Sequence, residues 1–440
     1  MEKKADRAVV LGAGIAGLLA ARALSGRYRR VTLVDRDDLH GPAEPRTAVP
    51  QGLHIHALLA RGQQALEELF PGLTGELAAA GAPVGDFGAN VSWYFSGRMM
   101  RRTSTGLVCV AAGRPLLEHT IRARVHALPQ VTVRDGTDVV GLEAPDPSRI
   151  TGVRVRSRRP GSPEEVLPAD LVVDATGRGS RTPRLLAELG YGTVRQERVA
   201  MDLTYTTCDF EGPLDPDPIG EDIALVAVAT PVMPRGAIFA RLPDRYSLSL
   251  TGLLGDRPPT DHAGFLAYAA TLPVPEIHRA VRKAVPLGEP ATFRFPASVR
   301  RRYEELDRLP EGLVVIGDAA CVFNPVYAQG MSVAAMEALL LARQVAEGPL
   351  SPRRFMADVA ALTDAPWEMA VGADLGFPGV QGLRTADVRM GNSYLPKLQG
   401  AAAVDPELST AFLRAAGLID PPQALLRPET MARVLSARAA

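Results

Sequence analysis

The stretch Ala8-Val9-Val10-Leu11-Gly12-Ala13-Gly14-Ile15-Ala16-Gly17, followed by Val31-Thr32-Leu33-Val34-Asp35, decides the fold. Ala8 to Leu11 is apolar and β-branched, as a buried strand requires; a helix then runs to about Leu24, and Val31 to Asp35 is a second strand. Each glycine has its own task. Gly12 permits a tight turn, Gly14 lets a pyrophosphate approach the backbone, and Gly17 lets the helix pack closely on the strand. The helix N-terminus offers free N–H groups and a partial positive charge to phosphates. Asp35, at the end of the second strand, can accept the hydroxyl protons of a ribose. This pattern predicts a Rossmann-like dinucleotide-binding unit, and by itself it does not choose between nicotinamide and flavin dinucleotides.

Working outward, 440 residues with 46% hydrophobic content can bury a large core arranged in two or three units. Basic and acidic residues balance at 49 each, so no overall field attracts nucleic acid or an anionic membrane, and a small molecule is the expected partner. Cys109, Cys208 and Cys321 lie far apart and show no metal-ligand spacing, which points to unpaired thiols in a reducing cytoplasm with no structural metal. The basic start and the apolar run after it imitate a secretory signal, but the glycine spacing and the strand that follows argue against one. Charges or prolines interrupt every other apolar run before it could span a bilayer. The Ala- and Arg-rich composition suggests a GC-rich bacterial genome.

Helices are expected over 58–70 and 115–127, an antiparallel meander over 131–156, and a buried strand at Leu171-Val172-Val173-Asp174 that rejoins the parallel sheet. From about 195 to 298 longer β-like stretches between Pro/Gly/Asp clusters suggest a separate antiparallel sheet, followed by one helix over 263–272. A strong helix is expected over 331–346, and 351–440 reads as mostly helical. The fold class is therefore α/β: a Rossmann-like FAD-binding domain (1–80, 106–190 and 300–348) interleaved with an antiparallel substrate domain (81–105 and 191–299) and a helical C-terminal region (349–440).

The choice of flavin comes from Val314-Val315-Ile316-Gly317-Asp318, where an apolar strand ends in an acid suited to a polyol such as the ribityl chain. Phe323-Asn324-Pro325-Val326-Tyr327-Ala328-Gln329-Gly330-Met331 then leads into a helix whose first amides can stabilise the negative charge of a reduced flavin.

These segments resemble the class A flavin monooxygenase superfamily, the group of p-hydroxybenzoate hydroxylase and squalene epoxidase. Residues 46–72 and 113–125 are most similar to bacterial squalene-epoxidase-like enzymes that epoxidise polyenes in polyether antibiotic biosynthesis, a branch of secondary metabolism. The resemblance implies FAD as cofactor, a p-hydroxybenzoate hydroxylase-like (GR2-type) cofactor domain, and insertion of one oxygen atom from O2 through a C4a-hydroperoxyflavin. It implies that Asp35 binds the adenosine ribose, Arg36 lies near the adenine, Arg114 supports the ribityl and phosphate region, and Asp318 binds ribityl hydroxyls. Pro325 would lie by the isoalloxazine ring and Gly330 and Met331 would offer amides to its pyrimidine edge. Further contacts would come from Gly12, Gly14, Ala16, Gly17, Asp174, Gly177, Gly317 and Gln329, and Arg46 would lie beside the flavin. Arg46 and Tyr327 are the candidate catalytic side chains.

One motif departs from the aromatic hydroxylases: Asp174-Ala175-Thr176-Gly177 stands where they carry a Cys-Asp-Gly type sequence that assists NAD(P)H. Electrons are therefore expected from NAD(P)H directly or through a separate flavin reductase. Tyr205, Phe210, Phe239 and Tyr246 are candidate walls of an apolar pocket for a small lipophilic substrate, a polyketide or polyene. His54 and His56 share a strand face but lack a third metal ligand, and Cys321 suits packing better than reactivity. The alternatives are an aromatic hydroxylase of the same fold, a flavin-dependent reductase or dehydrogenase, and a non-redox cyclase supported by FAD. A halogenase is disfavoured because Trp93 and Trp367, the only tryptophans, cannot form a Trp-x-Trp-x-Ile motif.

Overall fold

The computed structural model describes residues 5–46, 49–212 and 217–437. Five strands form an all-parallel sheet in the order Leu313–Val315, Leu171–Asp174, Ala5–Leu11, Tyr28–Val34, Val131–Arg134. Their registers bring Leu11 level with Val34 and Asp174, and Asp174 level with Val315. The carboxyl ends of the four central-most strands thus line up, which is where an open parallel sheet forms its ligand crevice. Ala8, Val9 and Val10 in the central strand and Val172 and Val173 beside it are almost wholly buried, because helices cover this sheet. The helix Ile15–Ser25 packs under the helix Gln329–Glu347, which in turn packs on Ala60–Leu69.

Val131–Arg134 corrects one expectation. These residues pair in parallel with Tyr28–Val34 as an edge strand, and the meander begins later, with Thr137–Glu143, Gly152–Ser157 and Glu164–Pro168 in a separate three-stranded sheet. Alternation alone could not distinguish the two, since a half-covered parallel edge also alternates.

The third sheet has eight strands in the order Cys321–Val322, Ala291–Arg302, Arg195–Glu211, Arg245–Gly252, Arg235–Arg241, Ala224–Val228, Val91–Phe95, Arg98–Met99. Every pair is antiparallel except Ala224–Val228 beside Val91–Phe95. The strand Ala291–Arg302 runs across the domain boundary expected at 299, and Cys321–Val322 leaves the Gly317-Asp318 turn to join its end. Two sheets are thereby stitched together at the turn. One face of the large sheet is covered by two helices, His262–Ala269 and Pro275–Val281, where a single helix was expected.

The C-terminal region is helical: Pro352–Asp374, Ala386–Ala402, Pro406–Ala416 and Pro428–Ser436. Its starts are encoded locally. Ser351, Thr385 and Asp405 cap the first three by accepting backbone N–H bonds, and proline occupies the first turn of the Pro352, Pro406 and Pro428 helices, where its missing N–H costs nothing. No helix among the described residues is long and apolar enough to cross a membrane.

Candidate functional site

A single crevice of about 940 Å³ runs from the carboxyl ends of the parallel strands to the open face of the large sheet. Its first end is built on the glycine turn. Gly12 has φ +92°, and a Cβ there would sit 2.6 Å from the Ala175 carbonyl oxygen; a Cβ on Gly17 would overlap the Gly12 carbonyl. Gly14 differs, because a Cβ there would meet no protein atom within 4 Å. Its open side is the crevice, which Ala16 also lines. Asp35 is buried at the strand end, with one carboxylate oxygen accepting the Ala13 amide at 2.5 Å and the other accepting the Asp37 amide at 2.9 Å. Arg36 lies at the crevice edge, largely exposed, 3.9 Å from Asp138.

Arg46 is found at this end. Its guanidinium donates to the Ala13 carbonyl at 2.7 Å and to Glu118 at 2.9 Å, and lies 3.3 Å from both Asp35 and Asp37. It locks the glycine turn to the acid cluster beside it. All of these contacts are with the chain itself, at the Asp35 end of the crevice that Arg46 also lines. Arg114 lines the crevice further along and pairs with Glu118 at 3.3 Å, one helical turn away.

The middle is shaped by Asp174, whose carboxylate is fully employed within the chain. It accepts the Thr176 amide at 2.9 Å, the Thr176 hydroxyl at 2.6 Å, the Ser180 hydroxyl at 2.5 Å and the Thr182 hydroxyl at 2.6 Å. Asp174 therefore braces the turn around Gly177 (φ +77°), and its side chain has little capacity left for a ligand.

At the far end Gly317 has φ +62°, and a Cβ there would strike Ala16 at 2.7 Å, so the two motifs 300 residues apart are in contact. The Gly317 amide donates to the buried Glu337. Asp318 lines the crevice, and no hydrogen-bond donor among the described residues reaches its carboxylate; burial raises its pKa while the nearby Arg114, Arg178 and Arg301 oppose the rise. Pro325, Gln329, Gly330 and Met331 line the same stretch. Gln329 is buried and its Oε1 has no partner among the described residues. An unmatched carboxylate, an unmatched amide oxygen and the free space at Gly14 are what a polyol-bearing, phosphate-bearing ligand would complete, so these residues fit FAD.

Tyr327, the other catalytic candidate, points elsewhere. Its hydroxyl donates to Asp374 at 2.8 Å, Asn324 Nδ2 donates to the same oxygen at 2.9 Å, and its ring packs with Trp367 and with Phe323, which itself lines the crevice. The cofactor loop is thus tied to the last residue of the helix Pro352–Asp374.

The open face of the large sheet closes the crevice. Tyr205 lines it, beside its register partners Phe293 and Thr251, with Ile238, Ser249 and Phe295. Phe210, Phe239 and Tyr246 do not. They lie on the opposite face with Cys208 and Leu248, fully packed against the two covering helices, and Phe239 stacks on Tyr246 with 5.4 Å between ring centres. Strand geometry gives the reason: side chains alternate, so Tyr205 and Phe210 on one strand cannot share a face. That parity was available in the sequence and separates Tyr205 from Phe210; which face meets the crevice, and where Phe239 and Tyr246 fall, depends on the pairing of strands. Phe293, Ile238 and Ser249 went unnoticed because their register with Tyr205 is a tertiary fact.

His54 and His56 enter from the segment before the helix Ala60–Leu69. His54 Nδ1 lies 2.8 Å from Thr207 Oγ1, which bonds on to Ser249 Oγ, and its ring meets Tyr205 edge-on at 4.5 Å. His56 Nδ1 bonds the His54 carbonyl at 3.0 Å and the ring lines the crevice. Burial pushes His54 down to about 4 and, with Arg114 helping, His56 down to about 3. Both imidazoles are neutral at pH 7 and are weak bases. Cys321 is buried, and desolvation raises its thiol well above the ordinary range, so it packs and does not react.

Fold and crevice together define a flavin-dependent oxidoreductase. Residues 8–215, just under half of the chain, match the family "FAD dependent oxidoreductase". It is 35% identical over 437 residues to Protein Rv3254 of Mycobacterium tuberculosis, covering 94% of this chain and 90% of the relative, and the two belong to one family. Among solved structures it is similar to the flavin-dependent brominase Bmp2, with 16% identity, 94% coverage of each chain and a TM-score of 0.66. It is also similar to PqsL of Pseudomonas aeruginosa, described as "a probable FAD-dependent monooxygenase", with 18% identity, coverage of 84% and 97%, and a TM-score of 0.62. At such identities these likenesses establish the fold.

Proposed function

We propose that the chain is an FAD-dependent monooxygenase that epoxidises an alkene of a lipophilic polyketide or polyene. The supporting observation is the joining of the two halves in one crevice: the Gly330 stretch opens directly onto an apolar wall of Tyr205, Ile238, Phe293 and Phe295. When bound, FAD supplies the activation of dioxygen. One oxygen atom enters the product and the other leaves as water, with two electrons drawn from NAD(P)H or from a separate reductase and the proton balance completed from solvent. The chain's own residues place the substrate and keep water out, while the cofactor carries the hard chemistry.

An alkene is favoured over a phenol by the bases at hand. Ring hydroxylation of a phenol is helped by removing its proton, and the histidines at this wall have pKa values held well below neutrality. An alkene needs no such step. The test is turnover with ¹⁸O2, reduced FAD and a polyene probe such as squalene or a polyketide triene. Labelled epoxide supports the reading; product without ¹⁸O, or a halogenated product that appears only with bromide or chloride, overturns it.

A further inference from the structure

A second, much smaller cavity lies behind the cofactor end of the crevice. It measures about 20 Å³ and sits between the helix Ala60–Leu69, the short helix Leu73–Ala79 and the start of Arg114–His126. Leu66, Leu73, Leu77, Val110 and Leu117 form its walls. Such a space admits one small molecule, since a single water needs about 10–15 Å³ by the same measure. A water would also need two or more polar partners. At the outer rim the polar groups are spent on each other: Gln63 Nε2 donates to Thr74 Oγ1 at 2.8 Å, and that hydroxyl donates to Glu67 at 2.9 Å. The Leu and Val walls offer a water no partner, the polar His56 and Arg114 standing at the inner boundary, and an apolar lining of this kind takes up apolar gases.

Its inner boundary is shared. His56, Arg114 and Met331 line both this chamber and the large crevice. Arg114 is drawn aside by Glu118, and His56 is held by the His54 carbonyl. Met331, an unbranched and adaptable side chain, is the movable part of the partition. Its outer rim meets the surface at the half-buried Gln63 and Thr74.

We infer that this chamber is a binding and entry site for dioxygen, leading from the Gln63–Thr74 rim past Met331 to the cofactor end of the crevice. The inference rests on the oxygen-using reading proposed above. Its logic is one of traffic. A cofactor and a lipophilic substrate would together fill the crevice from the glycine turn to Phe293, leaving the co-substrate no path along it. A diatomic, apolar molecule is what the chamber's size and its Leu and Val walls suit.

The test uses the FAD-loaded protein and two independent readings. Crystals pressurised with xenon should show a peak among Leu66, Leu77 and Leu117; no peak there overturns the site. Leu77→Phe fills the chamber without touching the crevice lining, and Val110→Ala enlarges it should the first variant fold poorly. In stopped-flow mixing of the anaerobically reduced enzyme with O2, Leu77→Phe should slow reoxidation about tenfold, a barrier change readable from the rate alone. Val110→Ala should not slow it, and both variants should retain bound FAD and the anaerobic reduction rate. Unchanged reoxidation in Leu77→Phe overturns the entry route while leaving the monooxygenase reading standing. Failure of the reduced wild-type enzyme to react with O2 at all overturns both, even with xenon present.

Discussion

The backbone amide of Gly317 donates to Oε2 of Glu337 at 2.6 Å, while Oε1 of the same carboxyl has no partner among the described residues. Burial pushes this carboxyl up to about 8, opposed by the Gly317 bond and assisted by Asp318. Asp374 behind the cofactor loop is likewise raised by burial, to about 7, against its bonds from Tyr327 and Asn324. Unfolded, these acids titrate near 4.5 and 3.8. Between those values and the folded ones the native state holds protons that the unfolded chain releases, so the contribution of these two groups to stability is full below about pH 4 and is lost as the pH rises to about 8. Glu337→Gln keeps an acceptor for Gly317 and removes one ionisation. It should be more stable than wild type at pH 8 by roughly 1–3 kcal/mol, with the gap closing toward pH 5. Calorimetry of the cofactor-free proteins across that range checks it, and a constant gap would contradict it.

Gly14 and Gly17 should separate binding from folding. Gly14→Ala adds a methyl group only to the crevice, so thermal stability without cofactor should hold while FAD affinity falls by at least about tenfold. Gly17→Ala drives a Cβ into the Gly12 carbonyl and should destabilise the protein whether or not FAD is present. Thermal melts with and without added FAD read both effects.

Asp318→Ala should purify colourless, since the polyol would lose its only carboxylate acceptor in this stretch at a cost of about 1–3 kcal/mol. A fully yellow variant with wild-type flavin content would be the contrary result.

Two aromatic substitutions in the same sheet, on strands separated by Arg245–Gly252, should behave oppositely. Tyr205→Ala should raise KM for the lipophilic substrate with modest loss of stability. Phe239→Ala removes a ring buried on the far face and should cost about 3–5 kcal/mol with KM unchanged in the surviving protein. Steady-state kinetics paired with denaturant unfolding distinguishes them.

Tyr327→Phe should lower stability by about 1 kcal/mol and leave KM and kcat near wild type, because the lost hydroxyl serves Asp374 and not the crevice. A large fall in kcat alone would restore Tyr327 as a catalytic residue.

Legibility followed the range of the forces involved. Gly12 to Asp35 and Gly317-Asp318 could be read directly, because turn, strand end and helix start are local properties with strict residue requirements. Val131–Arg134 was misread as part of a meander because its pairing with Tyr28–Val34 depends on a strand a hundred residues away. Asp174 and Arg46 looked like ligands for a cofactor, yet each has most of its capacity absorbed by the chain, through Thr176, Ser180 and Thr182 in one case and through Asp35, Asp37 and Glu118 in the other. Only the three-dimensional count of partners reveals that. The pocket wall was a question of parity, answerable for Tyr205 against Phe210 but not for Phe293, whose neighbour is set by register.

The tie from Tyr327 and Asn324 to Asp374 has a consequence for biosynthesis. A nascent chain leaving the ribosome has its glycine turn early, but the loop at the other end of the crevice stays unanchored until residue 374 has emerged and its helix has docked. Anchoring of that loop is therefore one of the last contacts the chain can make as it emerges.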